Sequence, residues 1–96
     1  MSAGAASTLK CVTAWSEARN LCDLVSEALR RMAGDDEVIA AGEDVCLVYT
    51  SAEPAAIRDR VAGVLQNGES VLVVEFERWS GLGPGIDSGW LSRRGH

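Results

Sequence analysis

Two kinds of periodicity follow one another along this chain, and their order constrains the fold more than any other feature. Residues 9–15 alternate as a β-strand does, and one side of that strand is formed by Leu9, Cys11, Thr13 and Trp15. From residue 18 the apolar positions recur every three or four residues, at Ala18, Leu21, Cys22, Val25, Leu29 and Met32. The sequence therefore predicts a strand that leads into an amphipathic helix, which Ser16 caps and Gly34 ends.

The same two patterns return in the rest of the chain. Residues 38–41 and 45–50 are predicted strands joined by a hairpin loop at 42–44. Ser51 and Pro54 open a second predicted helix, because proline is tolerated in the first turn. The apolar stripe of this helix is Ile57, Val61, Val64 and Leu65, and Asn67-Gly68 is expected to stop it. Residues 70–76 form the last predicted strand.

The resulting order is strand, helix, strand, strand, helix, strand, which is typical of the split βαβ arrangement. We therefore predict an α+β fold: a ferredoxin-like βαββαβ sandwich in which a four-stranded antiparallel sheet carries two helices on one face. The predicted organisation is a flexible N-terminal tail over 1–8, the ferredoxin-like domain over 9–79, and a Gly-rich C-terminal tail over 80–96 that is partly packed.

Composition excludes several classes of function. At 96 residues the chain is expected to form one domain, and its net charge of −5 argues against a nucleic-acid partner. No apolar run approaches the ~20 residues that cross a bilayer, and residues 1–8 lack the basic and apolar blocks of a signal peptide. Cys11, Cys22 and Cys46 are interpreted as small buried side chains in a reducing compartment, so a cytoplasmic location without membrane contact is expected.

The residues that could carry chemistry do not form a recognisable constellation. The consecutive acids at 35–37 are not expected to converge on one ion, whereas Glu17, Glu43, Asp44 and Glu69 fall at one end of the predicted sheet as a solvated acidic rim. The glycines at 81, 83 and 85 follow a predicted strand, but the chain is expected to end too soon for the βαβ unit that a phosphate loop requires, so they are interpreted as a turn or hinge. His96 is the only histidine. No catalytic, metal or cofactor-binding residue is predicted, and no cofactor.

Both faces of the predicted sheet carry apolar side chains, although only one face has helices. An exposed apolar face is a solubility liability, so something should cover the second one. The chain's own tail, a second copy and a different protein all remain candidates for this role. The candidate interface residues are Tyr49, Phe76, Trp79, Leu82, Ile86, Trp90 and Leu91.

The second half of the chain resembles a known protein family. Three segments carry the resemblance: Val45-Cys-Leu-Val-Tyr-Thr-Ser51 as a strand that leads into a helix, Ala56-Ile-Arg-Asp-Arg-Val61 as the start of that helix, and Asn67-Gly-Glu-Ser-Val-Leu-Val-Val74 followed by Trp79 and Gly81. They are similar to the SinR-like proteins, small bacterial proteins of ferredoxin-like fold that are related to the CRISPR adaptation subunit and to VapD-type toxins.

The resemblance implies a homodimer with the last strand or the tail at the joint. In nuclease-active relatives, an Asp at the end of the first strand supports metal-dependent ribonuclease activity. This chain has Ala14, Trp15 and Ser16 at that place, so the nuclease role does not carry over.

Three functional hypotheses follow. The first is a non-catalytic, cytoplasmic protein-association or regulatory module that is homodimeric or binds another protein. The second is a metal-dependent ribonuclease or toxin of the related family, which would depend on Glu17 or Glu43. The third is an ACT-like regulatory domain that binds a small ligand.

Overall fold

The computed structural model describes residues 6–78 and 80–94, and within them the chain forms four strands and three α-helices. The elements in chain order are β1 (Thr8–Trp15), α1 (Cys22–Ala33), a 3-10 turn (Asp35–Glu37), β2 (Val38–Ala40), β3 (Val45–Thr50), α2 (Pro54–Ala62), β4 (Ser70–Phe76) and α3 (Ser88–Arg93). Within these residues, no helix has the length and apolar character needed to cross a membrane.

The strands form one antiparallel sheet in the order β2-β3-β1-β4. Leu9 on the central strand β1 lies opposite Tyr49 of β3 and opposite Phe76 of β4. At the other end of β1, Thr13 lies opposite Val45 and Leu72 in the same way. The predicted α+β class and the four-stranded antiparallel sheet are therefore confirmed, and β2 and β4 are the edges of the sheet.

Helices α1 and α2 pack against the same face of this sheet, which we call the first face. Its core consists of ten buried side chains: Val12, Ala14, Leu21, Val25, Leu29, Val38, Cys46, Val48, Ile57 and Val61. The alternation of β1 and the apolar stripes of both helices all point into this cluster, so local pattern and tertiary packing agree here. Cys46 is buried as predicted, but Cys11 and Cys22 are only half-buried, which corrects that part of the prediction.

The first helix begins later than its apolar pattern predicts. The Ser16 hydroxyl accepts from the Ala18 amide (3.0 Å) and closes a local turn, so Ser16 does not cap a helix. The N-cap residue of α1 is Leu21, which has no capping side chain, and the Asn20 side-chain oxygen accepts from the Cys22 amide (2.8 Å) in a local turn just before the helix. At the other end Gly34 has φ = 101° and its amide bonds the Arg30 carbonyl, so the predicted end is confirmed.

The second helix ends earlier than predicted. The chain leaves the α-helix after Ala62 because the next amides bond three residues back, Val64 to Val61 (3.0 Å) and Leu65 to Ala62 (3.2 Å). Both side chains still pack against the first-face core from this loop. The apolar stripe thus predicted the packing correctly but not the helical backbone.

One ion pair joins the loop after β1 to the loop before β4. The Arg19 guanidinium binds Glu69 through both carboxylate oxygens (2.7 Å each) and also donates to the Val64 carbonyl (3.0 Å). The Gln66 amide donates to the same carboxylate (2.7 Å). The bonds from Arg19 are the main reason that the pKa of Glu69 falls from 4.5 to about 2. Glu69 therefore does not belong to a solvated acidic rim, which corrects that expectation.

The pKa of Glu69 predicts a specific loss of stability in acid. Because the folded pKa lies below the unfolded one, the carboxylate stabilises the fold above about pH 4.5. This contribution disappears as the pH falls from there toward 2. The unfolding free energy, measured in urea at pH 6 and pH 3, should drop more in the wild type than in Glu69→Gln. Glu43→Gln, which removes an exposed carboxylate of the hairpin, is the control and should keep the wild-type drop. Equal drops in unfolding free energy for all three proteins would contradict the lowered pKa of Glu69.

Candidate functional site

The second face of the sheet, opposite α1 and α2, is apolar across all four strands. Alternation and register put these residues on it: Leu9, Cys11, Thr13 and Trp15 from β1, Ile39 from β2, Val45, Leu47 and Tyr49 from β3, and Leu72, Val74 and Phe76 from β4. A face of this composition is rarely left to water. It is therefore the feature of the molecule that most needs a functional explanation.

The C-terminal tail covers one end of the second face. Trp90 and Leu91 of α3 are buried against Leu9, and the half-buried side chains packed around them are Ile39, Leu47, Tyr49, Phe76 and Ile86. The predicted packed segment of the tail is thus a short helix that lies on the face opposite the other two. The tail therefore covers part of the second face and leaves the rest exposed.

Polar contacts fix α3 in place. The Asp87 carboxylate caps the helix by accepting from the Trp90 amide (2.9 Å). The Trp90 indole N–H donates to the Asp36 carbonyl (3.0 Å) just before β2. The Arg94 guanidinium lies 4.2 Å from the Trp90 ring centroid and donates to the same carbonyl and to Glu37. The helix is therefore attached to the β2 side of the sheet.

Two glycines let the linker to α3 lie close to the rest of the chain. A Cβ at Gly85 would lie 3.1 Å from the Ala41 carbonyl oxygen, and a Cβ at Gly81 would lie 2.8 Å from the Ile86 side chain. The glycine run that resembles a phosphate loop thus has a packing role at these two positions.

The part of the second face nearest β4 is not covered by α3. Leu72 is 55% exposed, Val74 is 46% exposed and Trp15 is 43% exposed. Thr13 lies opposite Leu72 and Cys11 lies opposite Val74, so these side chains belong to adjoining strands of one surface. We call Trp15, Leu72 and Val74 the β4 patch. It is the strongest candidate functional site among the described residues.

The predicted interface residues occupy different environments. Trp90 and Leu91 are buried, and Tyr49, Phe76 and Ile86 are half-buried in the cluster beneath α3. Leu82 is 97% exposed on the linker, and Trp79 lies outside the described residues. Trp90 and Leu91 thus pack within the chain, whereas Leu72 and Val74, which are not among the predicted interface residues, are exposed. Alternation puts Leu72 and Val74 on one face. Only the sheet order shows that β4 is an edge strand, which is why these side chains remain exposed.

The acidic residues predicted as a rim or as ribonuclease residues are spread over the described part of the chain. Over residues 6–78 and 80–94, no three His, Cys, Asp or Glu side chains are grouped so that they could hold a metal ion. Glu17, Glu43 and Asp44 are exposed, whereas Glu69 is bound by Arg19. The proposed ribonuclease residues therefore have no ligand set around them in the described part of the chain.

Lys10 is the most deeply buried cation in the described residues, and its contacts are structural. Its ammonium donates to the Thr8 hydroxyl and to the Thr50 carbonyl, both at 2.6 Å. Burial lowers the pKa of Lys10, while the nearby carboxylates of Glu75 and Glu53 oppose this effect. The side chain joins β1 to the end of β3 and is not accessible to a substrate.

A groove of about 390 Å³ lies along the outer side of α1. Its lining carries both signs of charge, from Asp23, Glu27, Arg30, Arg31 and Asp35. Glu27 and Arg31 already form an ion pair across one helical turn. This arrangement is that of a solvated helix surface, and it does not favour one class of ligand.

The α3 contacts predict a stability difference between two substitutions. Trp90→Ala removes a buried aromatic ring and should cost about 3–5 kcal/mol of unfolding free energy. Trp90→Phe keeps most of the packing and loses the indole bond, while Arg94 still donates to Asp36, so it should cost about 1 kcal/mol. Urea unfolding measures both values, and binding of an apolar dye should rise only in Trp90→Ala. Wild-type stability and dye binding in Trp90→Ala would show that α3 is not docked.

We compared the chain with protein-family models, with curated proteins and with solved structures, and none of them matches it. The resemblance to the SinR-like proteins thus remains a prediction from the three sequence segments, and the interpretation of the site depends on the geometry of this chain.

Proposed function

We propose that this protein is a non-catalytic association module that forms a homodimer through the β4 patch. The observation that carries this proposal is the exposure of Leu72, Val74 and Trp15 on one continuous surface beside the covered part of the second face. Full burial of an exposed apolar side chain contributes about 1.5–3 kcal/mol, and because these three are about half exposed, covering them contributes roughly 1 kcal/mol each, which favours a partner over water.

The surroundings of the β4 patch enlarge the contact that it can make. Cys11, Thr13 and Val45 lie beside it on the same face and are half-buried. A standard interface buries about 800 Å² per partner, which is more than three side chains provide. The backbone edge of β4 and the side chains along it supply the rest of this area, and the half-buried neighbours on the second face are uncharged.

A second copy is the partner that we propose. The second-face side chains of β1 and β4 are uncharged, so two copies can meet there without placing like charges together, although each chain carries a net charge of −5. The resemblance to the SinR-like proteins, which implies a homodimer, supports the same choice. The geometry of the described residues gives less support to the ribonuclease and ACT-like alternatives, because it does not group acidic residues or favour a ligand pocket.

We further propose that the fold is the ferredoxin-like sandwich. The strand order β2-β3-β1-β4 and the packing of α1 and α2 against one face support this assignment. In this description α3 is an addition that covers part of the otherwise helix-free face.

Light scattering of the full chain tests the association. The wild type should have the mass of a dimer, and the double variant Leu72→Ser, Val74→Ser should dissociate at least about a hundredfold more readily, because each lost contact occurs twice in a symmetric dimer. Both side chains are exposed in the single chain, so the variant should still fold.

The control is Leu24→Ser, which changes a leucine of α1 that is 39% exposed on the other side of the molecule. It should remain a dimer. A wild-type protein that stays monomeric at every concentration, or a dimer that Leu24→Ser and the double variant weaken equally, would contradict the proposal.

A further inference from the structure

The two edges of the sheet differ in how they are protected. The edge strand β2 has only three residues, and the tail packs at both of its ends, where Trp90 binds the Asp36 carbonyl and Gly85 approaches Ala41. The edge strand β4 has seven residues, Ser70–Phe76, which contain no proline and one charge, Glu75. Its register with β1 runs through all seven without a bulge. Edge strands are usually protected from pairing by short length, proline, charged side chains, a bulge or a covering segment. Of these, β4 has only the one charged residue.

The hydrogen-bond pattern identifies the outward-facing groups of β4. The Ala14 amide donates to the Asp44 carbonyl (3.0 Å). Ala14 and every second residue of β1 therefore point their backbone N–H and C=O groups toward β3. The other residues of β1, including Cys11 and Thr13, therefore form their backbone hydrogen bonds with β4, where they pair with Val74 and Leu72.

By the same alternation, Val71, Val73 and Glu75 direct their N–H and C=O groups away from the sheet. No described part of the chain pairs with these groups. Beside them is a groove of about 220 Å³, lined by Pro54, Ala55, Arg58, Val71, Leu72 and Val73.

We propose that a second copy of this chain adds its β4 antiparallel to this edge, around a twofold axis at Val73, so that the two sheets become one. The proposal rests on the homodimer proposed above and specifies how its two chains join: Leu72 and Val74 contact the other copy across the joint, and the rest of the second face continues from one sheet to the other. Val73 then pairs with its own copy, and Val71 pairs with Glu75 of the other chain. All three outward-facing residues of each strand are used, which gives six backbone hydrogen bonds.

The side chains of β4 are self-complementary in this register. Leu72 meets Val74 of the other copy at a position where antiparallel side chains come closest, so two exposed members of the β4 patch contact each other across the joint. The Glu75 carboxylates lie apart, each beside a valine. Each falls on the side of the sheet that bears α2, so this register places no like charges directly opposite each other.

Amide hydrogen exchange of the intact wild-type chain, followed by NMR at low and high protein concentration, tests this arrangement directly. The amides of Val71, Val73 and Glu75 should exchange at least about tenfold more slowly when the dimer forms, since only pairing with a second strand protects them. Leu72 and Val74 are internal controls, because their amides are bonded to β1 at every concentration.

Three outcomes are informative. Concentration-dependent protection of the three amides supports the proposal. A dimer by light scattering in which those amides exchange freely overturns the edge pairing and leaves the proposed association intact. A protein that is monomeric at every concentration overturns both.

Two cysteine variants test the register independently. Val73→Cys should form an interchain disulfide under mild oxidation, because position 73 meets itself across the axis. Val71→Cys is the matched control on the same edge. It should not form this disulfide, because the two copies of position 71 lie about four residues apart along the paired strands. Disulfide formation at 71 and not at 73 would contradict the register.

Discussion

The fold depends on the burial of β1 from both sides. Leu9 and Val12 lie on opposite faces of this strand and both are fully buried, and the strand pairs with β3 and with β4 along nearly its whole length. A central strand with two apolar faces needs a layer of packing on each side. Helices α1 and α2 provide the first layer completely, whereas α3 provides only part of the second.

The incomplete second layer explains where a functional surface arises in so small a protein. α3 is attached near β2 through Trp90 and Arg94, and its six residues do not reach the far side of the sheet. The consequence is an asymmetry: the β2 edge is short and flanked by the tail, and the β4 edge is long and lies beside exposed apolar side chains. The proposed self-association and the proposed strand pairing both follow from this asymmetry.

Charged side chains also connect the elements at the ends of the sheet, beside apolar contacts such as those of Val64 and Leu65. Arg19 and Glu69 join two loops at one end of the sheet, and the Lys10 ammonium joins β1 to the end of β3. Each of these groups is satisfied inside the chain, which makes them structural residues. Acidic residues are thus numerous in the sequence, but in the described part of the chain no three His, Cys, Asp or Glu side chains are grouped so that they could hold a metal ion.

The sequence by itself determined the four strands, the two helices of the first face and the apolar stripes of those helices, whereas α3 was predicted only as part of a partly packed tail. Alternation in residues 9–15 and 70–76 and the helical spacing around Val25 and Ile57 are local patterns, and side-chain period follows directly from backbone geometry. Helix ends were predicted less well, because competing local bonds decide them. Ser16 closes a turn instead of capping α1, and the bonds after Ala62 tighten and end α2.

Only the tertiary structure decided which apolar side chains remain exposed. Phe76 and Leu72 are both apolar and lie on the same face of one strand, so alternation does not tell which of them is covered. Phe76 packs in the cluster beneath α3, while Leu72 lies beyond the reach of that helix and beside a free edge. Their difference arises from the strand order and from where α3 is attached, and both depend on contacts between residues far apart in the chain.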